Sequence, residues 1–416
     1  MRELILFGAI ALVTFDKQSD DPAQNGVDTA GPRVSSGTKT ITGVDRIRYE
    51  KRALETMLRS GTSAKDDFNE SFERTVGVDR VNAILSKLHN ELGNFDRIEA
   101  QGDHFVAYFV NGTDAIYIHV DDAGKIDGLL FKEASRSATS LREALGRLVP
   151  THGEIAYLIT RDGSDVEQFE AQTPLAVASG FKLAVLARLQ NDVQEGRARW
   201  NDVYLLRERW KSLPSGVLQT WPDAIPISLA TYAADMISIS DNTAADALID
   251  IGGHMANSNY AGANTPFLTT RQAFELRSTK NKQYLKKYRS TTVPARRAQI
   301  LQAIDKLPLP QAQDLSGEPM LDVEWRYSVR DLCGFVNQVS DLPIVSINPG
   351  LADPDAFSYV AFKGGSDTGV LSLTTLVVTK TGSRICFSAT LNDLRSVDNE
   401  AFSTAYREVL AVLSRR

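Results

Sequence analysis

The spacing of hydrophobic and polar positions predicts two helices and then three strands in the first third of the chain. Apolar residues fall at helical spacing from Asp45 to Arg59 and again from Val78 to Leu92. Strand-like runs follow at His104–Val110, Ala115–Val120 and Ile126–Phe131, with turn-forming Asn, Asp and Gly residues between them. Helices followed by antiparallel hairpins indicate a small α+β domain over residues 45–135.

A second, larger pattern occupies residues 140–416. It begins with a helical stretch, Ser140–Leu148, and two strand-like runs, Glu154–Thr160 and Asp165–Glu170. Helical spacing dominates from there to about Leu342. Three more strand-like runs, Tyr359–Lys363, Val370–Lys380 and Arg384–Leu391, precede an amphipathic helix, Ala401–Leu413. This order predicts one antiparallel sheet flanked by helices.

The N-terminus has a pattern of its own. Arg2 precedes an apolar run, Leu4–Phe15, that is too short to span a membrane and fits the core of an export signal. Residues 16–44 are rich in small and polar residues and predict a flexible tether. We therefore expect an export signal over residues 1–15 and a periplasmic or secreted protein. The alternative is a buried segment or an uncleaved anchor, with a cytoplasmic location.

Composition and charge narrow the class of protein. The 416 residues carry 46 Lys and Arg against 52 Asp and Glu, and the net charge of -6 argues against a nucleic-acid binder. With two cysteines and five histidines, we expect no metal and no cofactor. No long apolar run follows the N-terminus, so we expect no integral membrane domain. Cys333 and Cys386 lie in apolar segments and are predicted to be buried free thiols unless export lets them pair.

The first candidate for chemistry lies in an almost wholly apolar helix predicted over residues 175–189. Ser179 and Lys182 are three residues apart there, on one face and within reach of each other. Burial lowers the pKa of a lysine, so its neutral amine can accept a proton from a serine hydroxyl. The alternative is a structural helix with one polar seam.

Two further motifs follow in the chain. Ser240-Asp241-Asn242 comes after the helical run Ile227–Ile239; it is either a helix N-cap cluster or a proton relay beside the Ser–Lys pair. Asn242 would then hold both the lysine and a substrate amide. A cation at a strand edge would complete the site, and Lys363-Gly364-Gly365 is expected to end the first of the three C-terminal strands. Lys380-Thr381-Gly382 is instead predicted to be a surface hairpin turn.

Taken in order, Ser179-x-x-Lys182, Ser240-Asp241-Asn242 and Lys363-Gly364-Gly365 resemble the three motifs of class A β-lactamases and penicillin-binding proteins. The likeness covers about Leu148 to the C-terminus. The whole chain also resembles the two-domain serine hydrolases encoded in clavulanic-acid biosynthesis clusters. Those join a cone-shaped domain of the steroid-isomerase or nuclear-transport-factor-2 (NTF2) type to a β-lactamase-like domain. The expected fold class is therefore a two-domain α+β and α/β protein of this kind.

The resemblance implies roles for the motif residues. Ser179 attacks a lactam or ester carbonyl, Lys182 takes its proton, and Ser240 passes a proton to the departing nitrogen. Backbone N–H groups of Ser179 and Ser366 form the oxyanion hole, while Lys363, with Gly364 and Gly365 beside it, attracts a substrate carboxylate.

The sequence departs from this family at two places. Family members usually have Thr or Ser where Gly364 stands, and that hydroxyl helps to bind the carboxylate; Ser366 or Thr368 is the candidate substitute here. Class A enzymes also use a glutamate to activate the deacylating water. Glu275 is one residue short of the expected spacing for that base, and the alternative is a solvated loop or helix residue.

The leading interpretation is a serine hydrolase of the class A β-lactamase type, acylated at Ser179 by a β-lactam. An esterase or biosynthetic hydrolase on the same scaffold is the first alternative, followed by a cell-wall peptidase and a non-enzymatic binding protein. The expected partner is a small β-lactam or ester substrate.

Overall fold

A computed structural model describes residues 43–132, 135–253, 255 and 259–415. The expected export signal and nearly all of the expected tether lie outside these residues. The chain divides into two compact units between Ser137 and Ala138. In the described ranges, no helix has the length and apolar content that crossing a bilayer requires.

Where the structure describes it, the first unit combines three helices with a five-stranded antiparallel sheet. Its helices are α1 (Gly43–Ser60), α2 (Glu70–Thr75) and α3 (Val78–Leu92), and its strands are β1 (Phe95–Gln101), β2 (His104–Phe109), β3 (Gly112–Val120), β4 (Ile126–Phe131) and β5 (Ser135–Arg136). The sheet order is β1-β2-β3-β4, with β5 beside β3. Leucines of α1 and α3 pack on Ile116 and the other inward residues of the sheet. The predicted α1, α3, β2, β3 and β4 are confirmed, whereas the NTF2-like cone stays a prediction.

The second unit holds the remaining elements. Its helices are α4 (Leu141–Leu148), α5 (Lys182–Gln194), α6 (Leu229–Ser238), α7 (Asn242–Ile251), α8 (Thr270–Arg277), α9 (Lys282–Arg289), α10 (Pro294–Ile304), α11 (Val329–Val339) and α12 (Asn399–Ser414). Its strands are β6 (Glu154–Arg161), β7 (Ser164–Phe169), β8 (Leu175–Ala176), β9 (Val203–Leu205), β10 (Pro226–Ser228), β11 (Arg326–Tyr327), β12 (Phe357–Asp367), β13 (Val370–Thr379) and β14 (Arg384–Asn392).

The main sheet of this unit is antiparallel in the order β12-β13-β14-β6-β7. One apolar cluster joins α4 and α12 to the sheet, with Tyr406 stacked on Phe387. A larger cluster joins the opposite face to α5, α6, α7 and α11. The predicted sheet flanked by helices is confirmed, and β12 is left at its edge.

The prediction of free thiols is wrong, because Cys333 and Cys386 form a disulfide. Helix α11 packs on the sheet and brings Cys333 against β14, with the two Cα atoms 5.9 Å apart. Both residues are buried, as expected.

Candidate active site

Ser179 lies in a tight 3-10 turn, Ala178–Phe181, directly before α5. The backbone cannot be helical earlier, because β8 pairs with β11 and the Asn392 amide bonds both the N–H and the C=O of Ala176 at 2.8 Å. Ala178 is held at φ 44°, a left-handed conformation that costs energy for a residue with a side chain. The prediction of one helix over 175–189 is therefore wrong, since a strand and a strained turn precede α5.

The Lys182 amine lies at the centre of a buried hydrogen-bond cluster. Its Nζ is 3.2 Å from Ser179 Oγ and 3.1 Å from Ser240 Oγ. It is also 2.5 Å from the Ser240 carbonyl and 2.6 Å from Asn242 Oδ1. Lys182 is fully buried, and the structure thus brings together four residues that the sequence motifs predicted.

Four oxygen atoms surround the Lys182 amine, and their chemistry determines which protonation state of the amine is favoured. The Ser240 carbonyl and Asn242 Oδ1 only accept, so they can take the two N–H bonds of a neutral amine and leave its lone pair for the hydroxyls. Asn242 is fixed in this orientation because its Nδ2 donates to the Leu213 carbonyl at 2.9 Å. Burial, together with the charge of Lys363, holds the pKa of Lys182 well below its usual range. The cluster therefore favours the neutral amine, which is a base.

Ser240 is presented to the cluster by a strained backbone. Its φ is 56°, and the next residue, Asp241, is the N-cap of α7 through its bond to the Ala244 N–H at 2.8 Å. The N-cap interpretation and the proton-relay interpretation of this motif are thus compatible, since Asp241 caps the helix while Ser240 faces Lys182.

The loop over residues 213–218 supports the cluster, although the sequence interpretation did not include it. The Asp241 carboxylate accepts the N–H groups of Val217 at 2.6 Å and Leu218 at 2.9 Å. The Ser215 hydroxyl donates to the Ser240 carbonyl at 2.6 Å. Gly216 has φ 99°, and a Cβ there would lie 2.2 Å from the Asp241 carboxylate. A Pro-Ser-Gly turn is the signal that marks this loop in the sequence.

Lys363 approaches Ser240 from the sheet. Its Nζ donates to Ser240 Oγ at 3.0 Å and to the Gly364 carbonyl. It is 3% exposed, and burial lowers its pKa to about 7. The prediction that Lys363-Gly364-Gly365 ends a strand is wrong, because the glycines still pair with β13 and β12 continues to Asp367. Lys380 is exposed in the β13–β14 turn, as predicted.

Gly365 brings the edge of the sheet against the turn that carries Ser179. A Cβ at this position would lie 2.1 Å from the Val177 carbonyl and 2.7 Å from the Ser179 N–H nitrogen. Ser366, the next residue, is exposed. The backbone of residue 365 therefore lies directly against the turn that carries Ser179, because residue 365 has no side chain.

Glu275 lies on α8 and is not joined to the cluster by any hydrogen bond among the described residues. Its Oε2 accepts from Asn281 Nδ2 at 2.6 Å, and its Oε1 is buried without a hydrogen-bond partner. Burial raises its pKa to about 6. The alternative of a solvated residue is wrong, since Glu275 is 1% exposed, whereas its role as the deacylating base stays a prediction.

Two buried acids near the site were missing from the sequence interpretation. Asp246 accepts the N–H groups of Thr270 at 2.6 Å and Arg271 at 2.9 Å, and burial raises its pKa to about 7. Glu324 is 3.1 Å from the Arg277 guanidinium, and burial likewise raises its pKa to about 7. Acids that become buried only through long-range packing leave no local sequence signal.

The second unit also has a cavity of about 510 Å³ lined by Arg188, Asp192, Tyr204, Tyr260 and their neighbours. None of the residues around Ser179 contributes to this lining. Over the described ranges, no three His, Cys, Asp or Glu side chains come together in a way that would hold a metal ion.

Solved structures of three proteins align with about two thirds of this chain. A β-lactamase from Sphaerobacter thermophilus is 18% identical, with a TM-score of 0.46 over 66% of this chain and 94% of its own. A protein named PBP-A is 18% identical, with a TM-score of 0.44 over 68% and 98%. A β-lactamase from Chitinophaga pinensis is 16% identical, with a TM-score of 0.42 over 66% and 98%. No curated protein matches the chain.

The sequence profile of a family described as "Beta-lactamase enzyme family" matches residues 140–330. This range includes Ser179, Lys182 and the Ser240-Asp241-Asn242 motif, whereas Lys363 lies beyond it. The part of the chain that holds Ser179 and Lys182 therefore matches the model of a β-lactamase enzyme family.

Proposed function

We propose that this chain is a serine hydrolase that forms an acyl-enzyme at Ser179. The observation that carries the proposal is the environment of Lys182. It is fully buried, and two acceptors 2.5 and 2.6 Å away engage its N–H bonds while Ser179 Oγ lies 3.2 Å from its nitrogen. A neutral amine held in this way is a base positioned for one hydroxyl.

In the proposed reaction, protons pass from Ser179 to Lys182 and from Ser240 to the leaving group, and Lys182 then reprotonates Ser240. The Lys182 lone pair accepts the Ser179 proton as Oγ attacks a carbonyl carbon, and the bond from that carbon to the leaving nitrogen or oxygen breaks. The Ser240 hydroxyl gives its proton to the leaving group and takes the proton held by Lys182. Water then cleaves the acyl-enzyme and restores Ser179.

The contact at Gly365 supports an oxyanion hole made by the N–H groups of Ser179 and Ser366. Each donor of this kind contributes about 3 kcal/mol to the transition state. The close approach of the two backbones is the supporting observation, because donors from different elements must reach the same oxygen atom.

The class of substrate has two candidates, a β-lactam and an ester. The family match and the three motifs favour acylation by a β-lactam. Glu275 favours the second candidate, because its carboxylate is 1% exposed and Asn281 engages one of its oxygens, which limits its access to a water molecule. Acyl-enzymes formed from β-lactams would then be hydrolysed slowly, and ester turnover would be the main activity.

The intact mass of the protein, followed during mixing with a penicillin, a cephalosporin and an aryl ester, tests this function. We expect an adduct on the wild type with each compound, none on Ser179→Ala, and an unchanged adduct on Ser164→Ala. Ser164 is the matched control, since it is exposed on β7 at the opposite edge of the sheet from β12. Equal labelling of wild type and Ser179→Ala would refute the assigned nucleophile.

We also propose that the protein works outside the cytoplasm. The Cys333–Cys386 disulfide supports this location, because disulfides persist in oxidising compartments. A fusion of residues 1–44 to alkaline phosphatase, which is active only after export, tests the proposal. Phosphatase activity is the expected result, and its absence would leave the cytoplasmic alternative.

A further inference from the structure

Strand β12 carries the aromatic ring of Phe362 beside Gly364. At the position of Gly364, the family that this chain resembles usually has a hydroxyl side chain. Phe362, Gly364 and Ser366 alternate with Lys363 and Gly365, so the two sets lie on opposite faces of the strand. A Cβ at Gly364 would lie 2.9 Å from Cζ of the half-buried Phe362 ring. The ring therefore fills the space in which a hydroxyl from residue 364 would stand.

Lys363 is poorly placed to attract an anion. Its Nζ already donates to Ser240 Oγ and the Gly364 carbonyl, and it is 3% exposed. Burial lowers its pKa to about 7, which weakens its positive charge near neutral pH. Two of the three N–H bonds of the ammonium form are already engaged, so an incoming carboxylate would find one donor free.

Exposed aliphatic residues lie beside the Ser238–Asp241 segment. Ile239 belongs to the segment and is 45% exposed. Val217, 46% exposed, donates its N–H to the segment at 2.6 Å. Ile347 is 59% exposed, and its neighbour Asn348 donates its amide to the segment at 2.9 Å. These exposed aliphatic residues border the segment that carries Ser240, and the Phe362 ring lies on the face of β12 opposite Lys363.

We propose that the site takes esters whose leaving group is neutral and apolar. The proposal rests on the acyl-enzyme function proposed above and specifies its substrate class. Ser240 supplies the proton to the leaving group, so the part of the substrate that departs lies at the Ser240 end. The acyl C–O bond breaks there, the Ser240 proton passes to the alcohol oxygen, and an apolar alcohol leaves. A carboxylate at that end would lose its hydration without gaining a full counter-charge.

Two matched esters test the proposal, phenyl phenylacetate and 3-carboxyphenyl phenylacetate. They share the acyl group and differ by one carboxylate on the leaving group. For each, kcat/KM is divided by the rate of hydrolysis in buffer to remove intrinsic reactivity. We expect the wild type to prefer the neutral ester by about tenfold or more.

Two double variants sharpen the test, one at residues 362 and 364 of β12 and one at the exposed aliphatic residues 239 and 347. In the double variant Phe362→Ala, Gly364→Thr, the smaller residue at 362 makes room for the threonine hydroxyl. We expect the preference for the neutral ester over the carboxylated ester to fall about tenfold. In the double variant Ile239→Ser, Ile347→Ser, we expect kcat/KM to fall for the neutral ester and to stay unchanged for the carboxylated ester. Val203→Ser is the control, because Val203 is exposed but pairs with Ser228, about 15 Å away at the other end of the ten-residue α6.

The outcomes separate this proposal from the one on which it rests. A wild-type preference for the carboxylated ester, or an equal rate for both, would overturn the substrate class while leaving Ser179 as the nucleophile. A failure of a fluorophosphonate probe to label Ser179 would overturn both proposals. Melting temperatures of the variants identify any loss of rate that comes from unfolding.

Discussion

Each partner of Lys182 affects how readily its nitrogen gives up or takes a proton. Asn242 is the most informative of them, because it places a neutral oxygen 2.6 Å from Nζ. A full negative charge at that point would stabilise the ammonium form and raise the pKa of Lys182. The chemistry of the site therefore depends on residue 242 being an amide and not an acid.

Acylation of Ser179 is predicted to lose rate as the pH falls, since the active form of Lys182 is the neutral one. The rate rises with pH through the pKa of Lys182 and then levels off. In Asn242→Asp, the rising part of the curve moves to higher pH, and the rate at a fixed lower pH falls about tenfold for every tenfold gain in the proton affinity of Lys182. Stopped-flow acylation by a chromogenic ester between pH 5 and about 10 measures both curves.

Asn201→Asp is the control for this experiment, because it adds the same charge at an exposed position of the same unit. Its curve should coincide with that of the wild type. An Asn242→Asp curve that also coincides with the wild type would contradict the role of Lys182 as the base.

Lys363 is predicted to reduce stability while serving the site. Its pKa is about 7 in the folded protein and about 10.4 when unfolded, so the unfolded state binds more protons between these values. The free energy of unfolding therefore rises with pH from about 7 to 10, and the full penalty of burial applies below that range. Lys363→Met should remove this dependence and raise the free energy of unfolding at pH 6 by on the order of 1–4 kcal/mol, with loss of activity.

Urea unfolding of the wild type and Lys363→Met between pH 6 and about 9 checks this prediction. A variant that is less stable than the wild type at pH 6 would mean that the lysine's hydrogen bonds outweigh its burial.

At the scale of elements, the site depends on how closely β12 approaches the turn before α5. Gly365→Ala is predicted to reduce acylation by about a hundredfold or more, because its Cβ would meet the Val177 carbonyl at 2.1 Å and push the oxyanion donors apart. The measurement is the acylation rate together with the melting temperature. Gly334→Ala is the matched control: it lies in the open on α11, and alanine favours a helix, so rate and stability should be kept or improved.

The elements also show which parts of the fold are encoded locally. Helix α3 begins and ends where its apolar spacing predicts, at Val78 and Leu92. Strand β1 was not predicted, because a register shift between Phe95 and Arg97 breaks the two-residue alternation that identifies a strand. The turn at Ser179 was mistaken for helix because its form is set by pairing with β11, which lies far along the chain.

The residues of the candidate site divide in the same way, into those that the local sequence indicates and those that depend on contacts far along the chain. The motifs identified Ser179, Lys182, Ser240, Asn242 and Lys363, because their residue types and order carry the chemistry. Ser215 and the buried acids Asp246 and Glu324 were missed, since their importance depends on contacts made only after folding. Sequence therefore indicated the residues proposed to react but not the residues that hold them in place.

Across the whole molecule, each of the two units has an apolar core of its own. Every hydrogen bond of the cluster around Lys182 joins residues of the second unit. A fragment of residues 138–416 is therefore predicted to be acylated at the rate of the full chain, with its Ser179→Ala variant as the control. Slower acylation of a folded fragment would assign the first unit a part in the reaction.

The disulfide stabilises the second unit by closing a long loop. Cys333 and Cys386 are 53 residues apart, and a loop of that length contributes about 4 kcal/mol in the chain-entropy account. Dithiothreitol should lower the melting temperature of the wild type and leave that of Cys333→Ala with Cys386→Ala unchanged. Equal melting of the oxidised and reduced wild type would contradict this contribution.

The contact between Phe362 and Gly364 also constrains how this protein can evolve. A hydroxyl residue at 364 would crowd the ring, whose Cζ would lie 2.9 Å from its Cβ, so that change should be tolerated better once residue 362 is smaller. The effects of mutations at the two positions should therefore depend on each other. Under selection by an antibiotic that carries a carboxylate, a change at residue 364 would give little benefit until residue 362 had also changed.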